Sequence, residues 1–150
     1  MDVDRTELAE RLDDVVLGLR RLALDRQELS LTAASALATL RRAGSCRLTG
    51  LAAAEGVSQP SMTALAARLT DAGLVQRHTD PADRRAVLLA LSPAGAELLD
   101  RRRAARAAQL AAPLDDLADD DVRAIASALP ALARLAGVGD PSLHASRRSS

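Results

Sequence analysis

The stretch SQPSMTALAARLTDAGLVQR, which runs directly into HTDPADRRAVLLALSPAG over residues 58–95, constrains the fold more than any other part of the chain. Ser58 can accept a bond from the free backbone amides of a helix start, and Pro60 falls in the first turn, where its missing N–H costs nothing. Gly73 stops this helix just after Ala72. Leu74–His78 and Ala86–Leu91 then read as strands, while the intervening Thr79-Asp80-Pro81-Ala82-Asp83-Arg84-Arg85 is too polar and turn-prone to be buried. A short helix followed at once by a charged hairpin is the expected arrangement.

Upstream, Thr49 opens a short helix through Ala54 that Gly56 closes. Only Gly56-Val57 and the Ser58 cap separate it from the next helix, as in a helix-turn-helix, and the hairpin then stands beside the pair as a wing. An earlier helix starts near Ser30 or Thr32 and ends at Gly44, with Leu31, Leu37 and Leu40 facing inward. The first helix, about residues 4–24, sets Leu8, Leu12, Val15, Val16, Leu19 and Leu22 at three- and four-residue steps. Beyond the wing, Ser92-Pro93 restarts a helix from Ala94 to Ala112, broken at Pro113, with Leu114 and Leu117 packed under the following bend. The acidic run Asp119-Asp120-Asp121 suits the positive N-terminal end of a last helix, about Asp120–Ala136, in which Pro130 should impose a kink or a break. The polar tail at 138–150 is expected to be loosely held.

Tryptophan, tyrosine and phenylalanine are all absent, so Leu, Ala and Val must build the core, and such side chains favour close packing of helix on helix. The expected fold class is mainly α with a small β-hairpin, in one domain over residues 1–137: a winged helix-turn-helix core at about 30–92, flanked by long helices at about 4–24 and 94–136. The formal net charge of zero hides an asymmetry, because residues 41–106 carry eleven Arg against six acids while both ends are acidic. All twenty basic residues are Arg, which suits bidentate phosphate contacts.

Several function classes are disfavoured. No Gly-rich phosphate loop, Ser-His-Asp order or carboxylate pair points to an enzyme, and no cofactor is expected. His78 and His144 lie far apart without Cys pairs, so a metal site is not expected. Cys46 cannot form an internal disulfide and reads as a structural thiol, with a redox switch as the alternative because Arg41, Arg42 and Arg47 are near it in sequence. No charged-then-apolar leader opens the chain and no apolar run approaches the roughly 18 residues of a membrane span, so the expected address is the cytoplasm, with no membrane partner.

On a helical wheel, Met62, Leu65, Ala66 and Leu69 share one face of the helix after Ser58, and Ser61, Ala64, Ala67, Arg68 and Asp71 share the other. The second face is slim enough for a major groove roughly 12 Å wide. Ser58, Gln59, Ser61 and Thr63 cluster at its N-terminal end, where hydroxyls, an amide and free N–H groups can meet phosphates and base edges. Arg84 and Arg85 stand at the hairpin tip, where guanidinium groups can reach a narrow minor groove, and Asp83 can hold one of them by a paired hydrogen bond.

With LTGLAAAEGVSQPSMTALAARLTDAGLVQR at 48–77 and DPADRRAVLLALSPAG at 80–95, the chain resembles the MarR family, the multiple-antibiotic-resistance-type regulators. Asp83 and Arg85 two apart, followed by Leu91-Ser92 and Gly95, form the most specific part of the likeness. The resemblance implies a homodimer whose terminal helices interleave, gripping a pseudo-palindromic site on double-stranded DNA. Ser58 to Arg68, Ala64 included, would supply the major-groove helix; Arg85, steadied by Asp83, the minor-groove contact; and Arg77, at the strand's end, a place near the phosphate backbone. Ala64 occupies a position often basic in relatives, so either Gln59, Ser61 and Thr63 carry more of the reading of bases or the protein binds less specifically. A repressor relieved by a small-molecule effector is the implied function, with Arg20, Arg21 or Arg26 as partners for an effector carboxylate. The alternative is a winged-helix protein-interaction module that does not bind DNA.

Overall fold

The computed structural model describes residues 3–23 and 29–138. Its elements run α1 (Arg5–Leu22), α2 (Leu31–Ala43), β1 (Ser45–Arg47), α3 (Leu48–Glu55), α4 (Gln59–Asp71), β2 (Val75–Thr79), β3 (Val87–Leu91), α5 (Pro93–Asp115) and α6 (Asp119–Ala136). By backbone proximity the chain divides into two compact units, Met1–Ala108 and Gln109–Ser150.

In the first unit the helix starts follow from local chemistry. Asp4 accepts from the Thr6 amide at 2.8 Å to begin α1, and Ser30 accepts from the Ala33 amide at 3.1 Å to begin α2. Gly44, Gly56 and Gly73 all have positive φ and close α2, α3 and α4 in conformations that other residues rarely adopt. Ala33, Ala36, Leu37 and Leu40 of α2 pack with Leu51, Ala52, Met62, Leu65, Ala66 and Leu69 of α3 and α4. Val75 and Leu89 close this core from the sheet. Ala33, Ala36, Ala52 and Ala66 let the helices approach closely, as the aromatic-free composition requires.

The sheet has three antiparallel strands in the order β1-β3-β2. Cys46 and Arg77 both stand opposite Leu89, so β3 is the central strand and the hairpin is anchored along its β3 edge by β1. The three-residue β1 does not follow from the sequence pattern, which shows only the hairpin. α3 accordingly starts at Leu48 rather than Thr49, directly from the end of β1.

Other expectations change in the structure. Leu31 sits in the first turn of α2 and is 72% exposed, pointing away from the core that Leu37 and Leu40 fill. Pro113 lies inside α5 instead of ending it, and Leu114 and Leu117 are exposed instead of packed. α6 runs unbroken through Pro130, and its acidic first turn includes Asp119, whose carboxylate approaches Arg123. Of the 138–150 tail, all but Val138 lies outside the described residues.

Apolar side chains remain uncovered on the outer helices. Leu8, Val15, Leu19 and Leu22 recur along α1 with the half-exposed Leu12 between them, at alternating steps of four and three. Val122, Ile125, Leu129 and Leu132 do the same along α6, and all four are exposed. This spacing is that of a seam between packed helices. Among the described residues no helix is long and apolar enough to cross a membrane, so the exposed stripes are not membrane spans.

Candidate nucleic-acid interface

The start of α4 is built as the sequence requires. Ser58 Oγ accepts from the Ser61 amide at 3.3 Å and donates to Ser61 Oγ at 2.9 Å. Thr63 Oγ1 donates back to the Gln59 carbonyl at 2.8 Å. The donor protons of Ser58 and Thr63 are therefore committed within the helix. Gln59 and the Ser61 hydroxyl keep their donors for an outside partner, so they are the more capable pair of the four. Ser58, Gln59, Ser61, Thr63, Ala64 and Arg68 are all exposed, while Met62, Leu65, Ala66 and Leu69 are buried, and the two faces fall as the helical wheel predicts except that Ala67 is half-buried.

The wing loop is held by a chain of turns. The Asp80 amide donates to the Ala86 carbonyl at 3.0 Å, and the Asp83 amide donates to the Asp80 carbonyl at 3.2 Å. Asp83 and Ala86 close a tight turn, with the Ala86 amide donating to the Asp83 carbonyl at 2.9 Å. Arg84 and Arg85 are its two central residues, both exposed. Asp83 Oδ1 accepts from the Arg85 backbone amide at 3.0 Å, so Asp83 steadies the turn rather than pairing with a guanidinium group as expected. Arg68, Arg77, Arg84 and Arg85 form no ion pair among the described residues, and their full charge faces outward.

Arg77 lies in the middle of β2 opposite Leu89, not at the strand's end, because β2 continues to Thr79. Asp80 corrects the expectation that the whole 79–85 segment is too polar to bury, since it is only 7% exposed. Its carboxylate is satisfied from two sides: Oδ2 accepts from Arg47 Nε at 3.0 Å and Nη2 at 2.6 Å, and Oδ1 accepts from the Ala82 amide at 2.9 Å. The Arg47 hydrogen bond, helped by the Ala82 amide, holds the Asp80 carboxyl below the usual aspartate range, and Asp80 raises the Arg47 guanidinium in return. Sequence reasoning missed this pair, whose members are 33 positions apart.

The wing is also fastened at its far end. Ser92 Oγ donates to the Gly73 carbonyl at 2.5 Å and accepts from the Gly95 amide at 3.0 Å, and the Ser92 amide donates to the Leu74 carbonyl at 3.0 Å. One serine thus caps α5 and ties it to the turn that ends α4. Arg41 of α2 adds a second tie, donating to the Ala96 carbonyl at 3.1 Å and to Asp100 at 2.9 Å.

Cys46 lies in β1, half-buried on the core side of the sheet. Burial pushes its thiol above the ordinary value and the nearby Glu55 carboxylate adds to the rise, the reverse of what a reactive thiolate needs. Among the described residues no cluster of His, Cys, Asp and Glu could hold a metal. His78 is exposed on β2; His144 and Arg26 lie outside the described residues.

This arrangement joins an exposed, polar helix start to a β-ribbon carrying two outward guanidinium groups, suited to the phosphates and groove edges of a duplex. The comparisons agree. The sequence profile of the MarR family matches residues 29–87, which span α2 to the first residue of β3. An uncharacterized HTH-type transcriptional regulator of Mycobacterium leprae is 39% identical over 104 residues, covering 65% of this chain and 73% of the relative. The crystal structure of a transcriptional regulator from Thermotoga maritima superposes with a TM-score of 0.76 at 22% identity, over 87% of this chain and 94% of that one, which shows the shared fold. BpsR of Bordetella bronchiseptica, whose structure concerns regulation of its DNA binding by 6-hydroxynicotinic acid, has the same fold with a TM-score of 0.53 at 23% identity, over 87% of this chain and 93% of that one. With a winged helix-turn-helix built on these residues and a relative this similar over most of its length, the chain belongs to the MarR family of transcriptional regulators, proteins that act on transcription and not as enzymes.

Proposed function

We propose that the protein is a homodimer that binds a pseudo-palindromic operator in double-stranded DNA and represses transcription there. The observation that carries this is the pair Arg84 and Arg85, exposed at the centre of a hydrogen-bonded turn and forming no ion pair among the described residues. In this reading Ser58, Gln59, Ser61, Thr63, Ala64 and Arg68 face the major groove, with Gln59 and Ser61 making the base contacts. Arg85 enters the adjacent minor groove, Asp83 fixing its backbone, and Arg84 and Arg77 meet phosphates. The terminal helices α1, α5 and α6 would form the dimer. The exposed four-and-three stripes of α1 and α6 support that step, because a partner chain would cover them. Occupancy of the operator excludes other proteins from the same duplex, so repression is the simplest output. A small ligand would relieve it, as 6-hydroxynicotinic acid regulates DNA binding by BpsR. A DNA target supports the cytoplasm as the place of action.

Selection from a random duplex pool tests the proposal. Enrichment of a twofold-symmetric sequence with half-sites about one helical turn apart is expected. Failure to enrich any duplex, with the protein folded, would leave a protein-interaction module as the better account.

A further inference from the structure

The geometry points to Arg47 as a positioning residue for the wing, one that sets sequence preference at the outer positions of the site without itself reading a base; this rests on the DNA-binding function proposed above. Arg47 is the last residue of β1 and the residue from which α3 departs. It therefore belongs to the rigid base of the helix-turn-helix. Asp80 is the first residue beyond β2, at the root of the wing loop. Their contact adds a side-chain link between the start of α3 and the wing loop to the backbone pairing of β1 with β3.

The joint is directional. Two guanidinium nitrogens converge on Asp80 Oδ2 at 3.0 and 2.6 Å, while Oδ1 is turned the other way, onto the Ala82 amide at 2.9 Å. A carboxylate gripped on both oxygens cannot rotate without breaking a bond. From Asp80 the restraint passes along the loop, since the Asp80 carbonyl accepts from Asp83 and Asp83 in turn forms the turn holding Arg84 and Arg85. The pairing of β1 with β3 ends at Arg47 opposite Leu88, so beyond that point the loop is held only by the β2–β3 pair, its own turns and the Arg47 clasp.

Stability alone explains this pair poorly. The Arg47 side chain is 49% exposed, and an ion pair with one partner so wet contributes little to folding. Asp80 is nonetheless drawn almost wholly out of solvent inside a surface loop. Fixing the direction of the loop accounts for both facts.

A double-mutant cycle in DNA binding separates positioning from the alternatives. On a duplex selected by the wild-type protein, Arg47→Ala should weaken binding about tenfold, comparable to a lost arginine contact. In an Arg85→Ala background the same change should cost less than about twofold, because the residue being positioned is gone. Arg47→Ala should also flatten base preference at the outer positions while keeping it where α4 reads. Asp80→Asn, which keeps an acceptor for the Ala82 amide but loses the charge, should couple to Arg85 in the same way and serves if Arg47→Ala does not fold. Multiplicative effects of Arg47→Ala and Arg85→Ala would mark Arg47 as an independent phosphate contact and overturn the inference, as would wild-type affinity in Arg47→Ala. A wild-type protein that enriches no duplex would instead overturn the DNA-binding function on which it rests.

Discussion

Gly95→Ala should destabilise the protein although it places a better helix former in the first turn of α5. The residue needs no unusual backbone angle; it needs room. A Cβ on Gly95 would fall well inside contact distance of the Leu74 carbonyl oxygen and lie 2.7 Å from Leu91 Cδ1 and 3.2 Å from the Leu74 carbonyl carbon. The leucine methyl can move, but the carbonyl cannot move freely, because it accepts from the Ser92 amide at 3.0 Å beside the Ser92–Gly73 bond. Overpacking of this kind costs about 1–3 kcal/mol. Weakening one of the Ser92 bonds adds about 1 kcal/mol, and the helix propensity of Ala over Gly returns about 1 kcal/mol. The net is a loss of about 2 kcal/mol, which for a urea slope of about 2 kcal/mol/M lowers the midpoint by about 1 M. Gly50→Ala, in α3 with nothing within 4 Å of its added methyl, is the control and should raise stability by about 0.5–1 kcal/mol. Urea denaturation followed by circular dichroism at one protein concentration measures both. A Gly95→Ala midpoint at or above the wild type would refute the close approach of Leu74 and with it the fastening of α5 to the end of α4.

The exposed seams of α1 and α6 predict that sedimentation gives twice the 15.7 kDa chain mass, and that Ile125→Glu, placed in the α6 stripe, shifts it toward one chain. A wild-type monomer at micromolar concentration would contradict this. Cys46, raised by burial, should react with a thiol reagent at neutral pH more slowly than free cysteine, and at the free rate once the protein is unfolded in urea; faster reaction in the folded protein would revive a redox role. The same shift lets the unfolded chain lose the thiol proton first, so alkaline pH above the ordinary thiol value should lower stability through this group. Asp80 has the opposite sign. Its lowered carboxyl contributes stability that is present above the ordinary aspartate value and lost only as pH falls through the lowered one. Amide-exchange protection of Ala82, corrected for intrinsic rate, should therefore hold between about pH 7 and about pH 5, and its disappearance in that window would contradict the clasp.

Local chemistry made most of the fold legible. Ser30, Ser58 and Ser92 each cap the helix that follows, and Gly44, Gly56 and Gly73 each end one, since a cap or a positive φ is decided within a few residues. Both strands of the wing fall within one residue of their expected starts for the same reason. What stayed hidden depends on distant partners. Ser45-Cys46-Arg47 has no alternation long enough to declare a strand and becomes β1 only because β3 offers a free edge. Asp80 reads as a solvated loop acid until Arg47 arrives from 33 positions away. Leu31 reads as core by type, yet its place in the first turn of α2 turns it outward. Pro113 reads as a break and Pro130 as a kink or a break, and neither ends its helix. In the candidate site, residue types were readable but bonding states were not: nothing in the sequence says that Thr63 turns its hydroxyl onto Gln59, or that Asp83 holds the Arg85 backbone.

The central claim is that the start of α4 and the tip of the wing occupy neighbouring grooves of one duplex. Interference mapping on a selected duplex tests it most directly, with guanine N7 methylation blocking the major groove and a minor-groove ligand blocking the other. The expected pattern is loss of binding from N7 methylation within each half-site and from minor-groove blockade only at its flanks, the second effect vanishing in Arg85→Ala. Binding indifferent to both blocks would contradict the account.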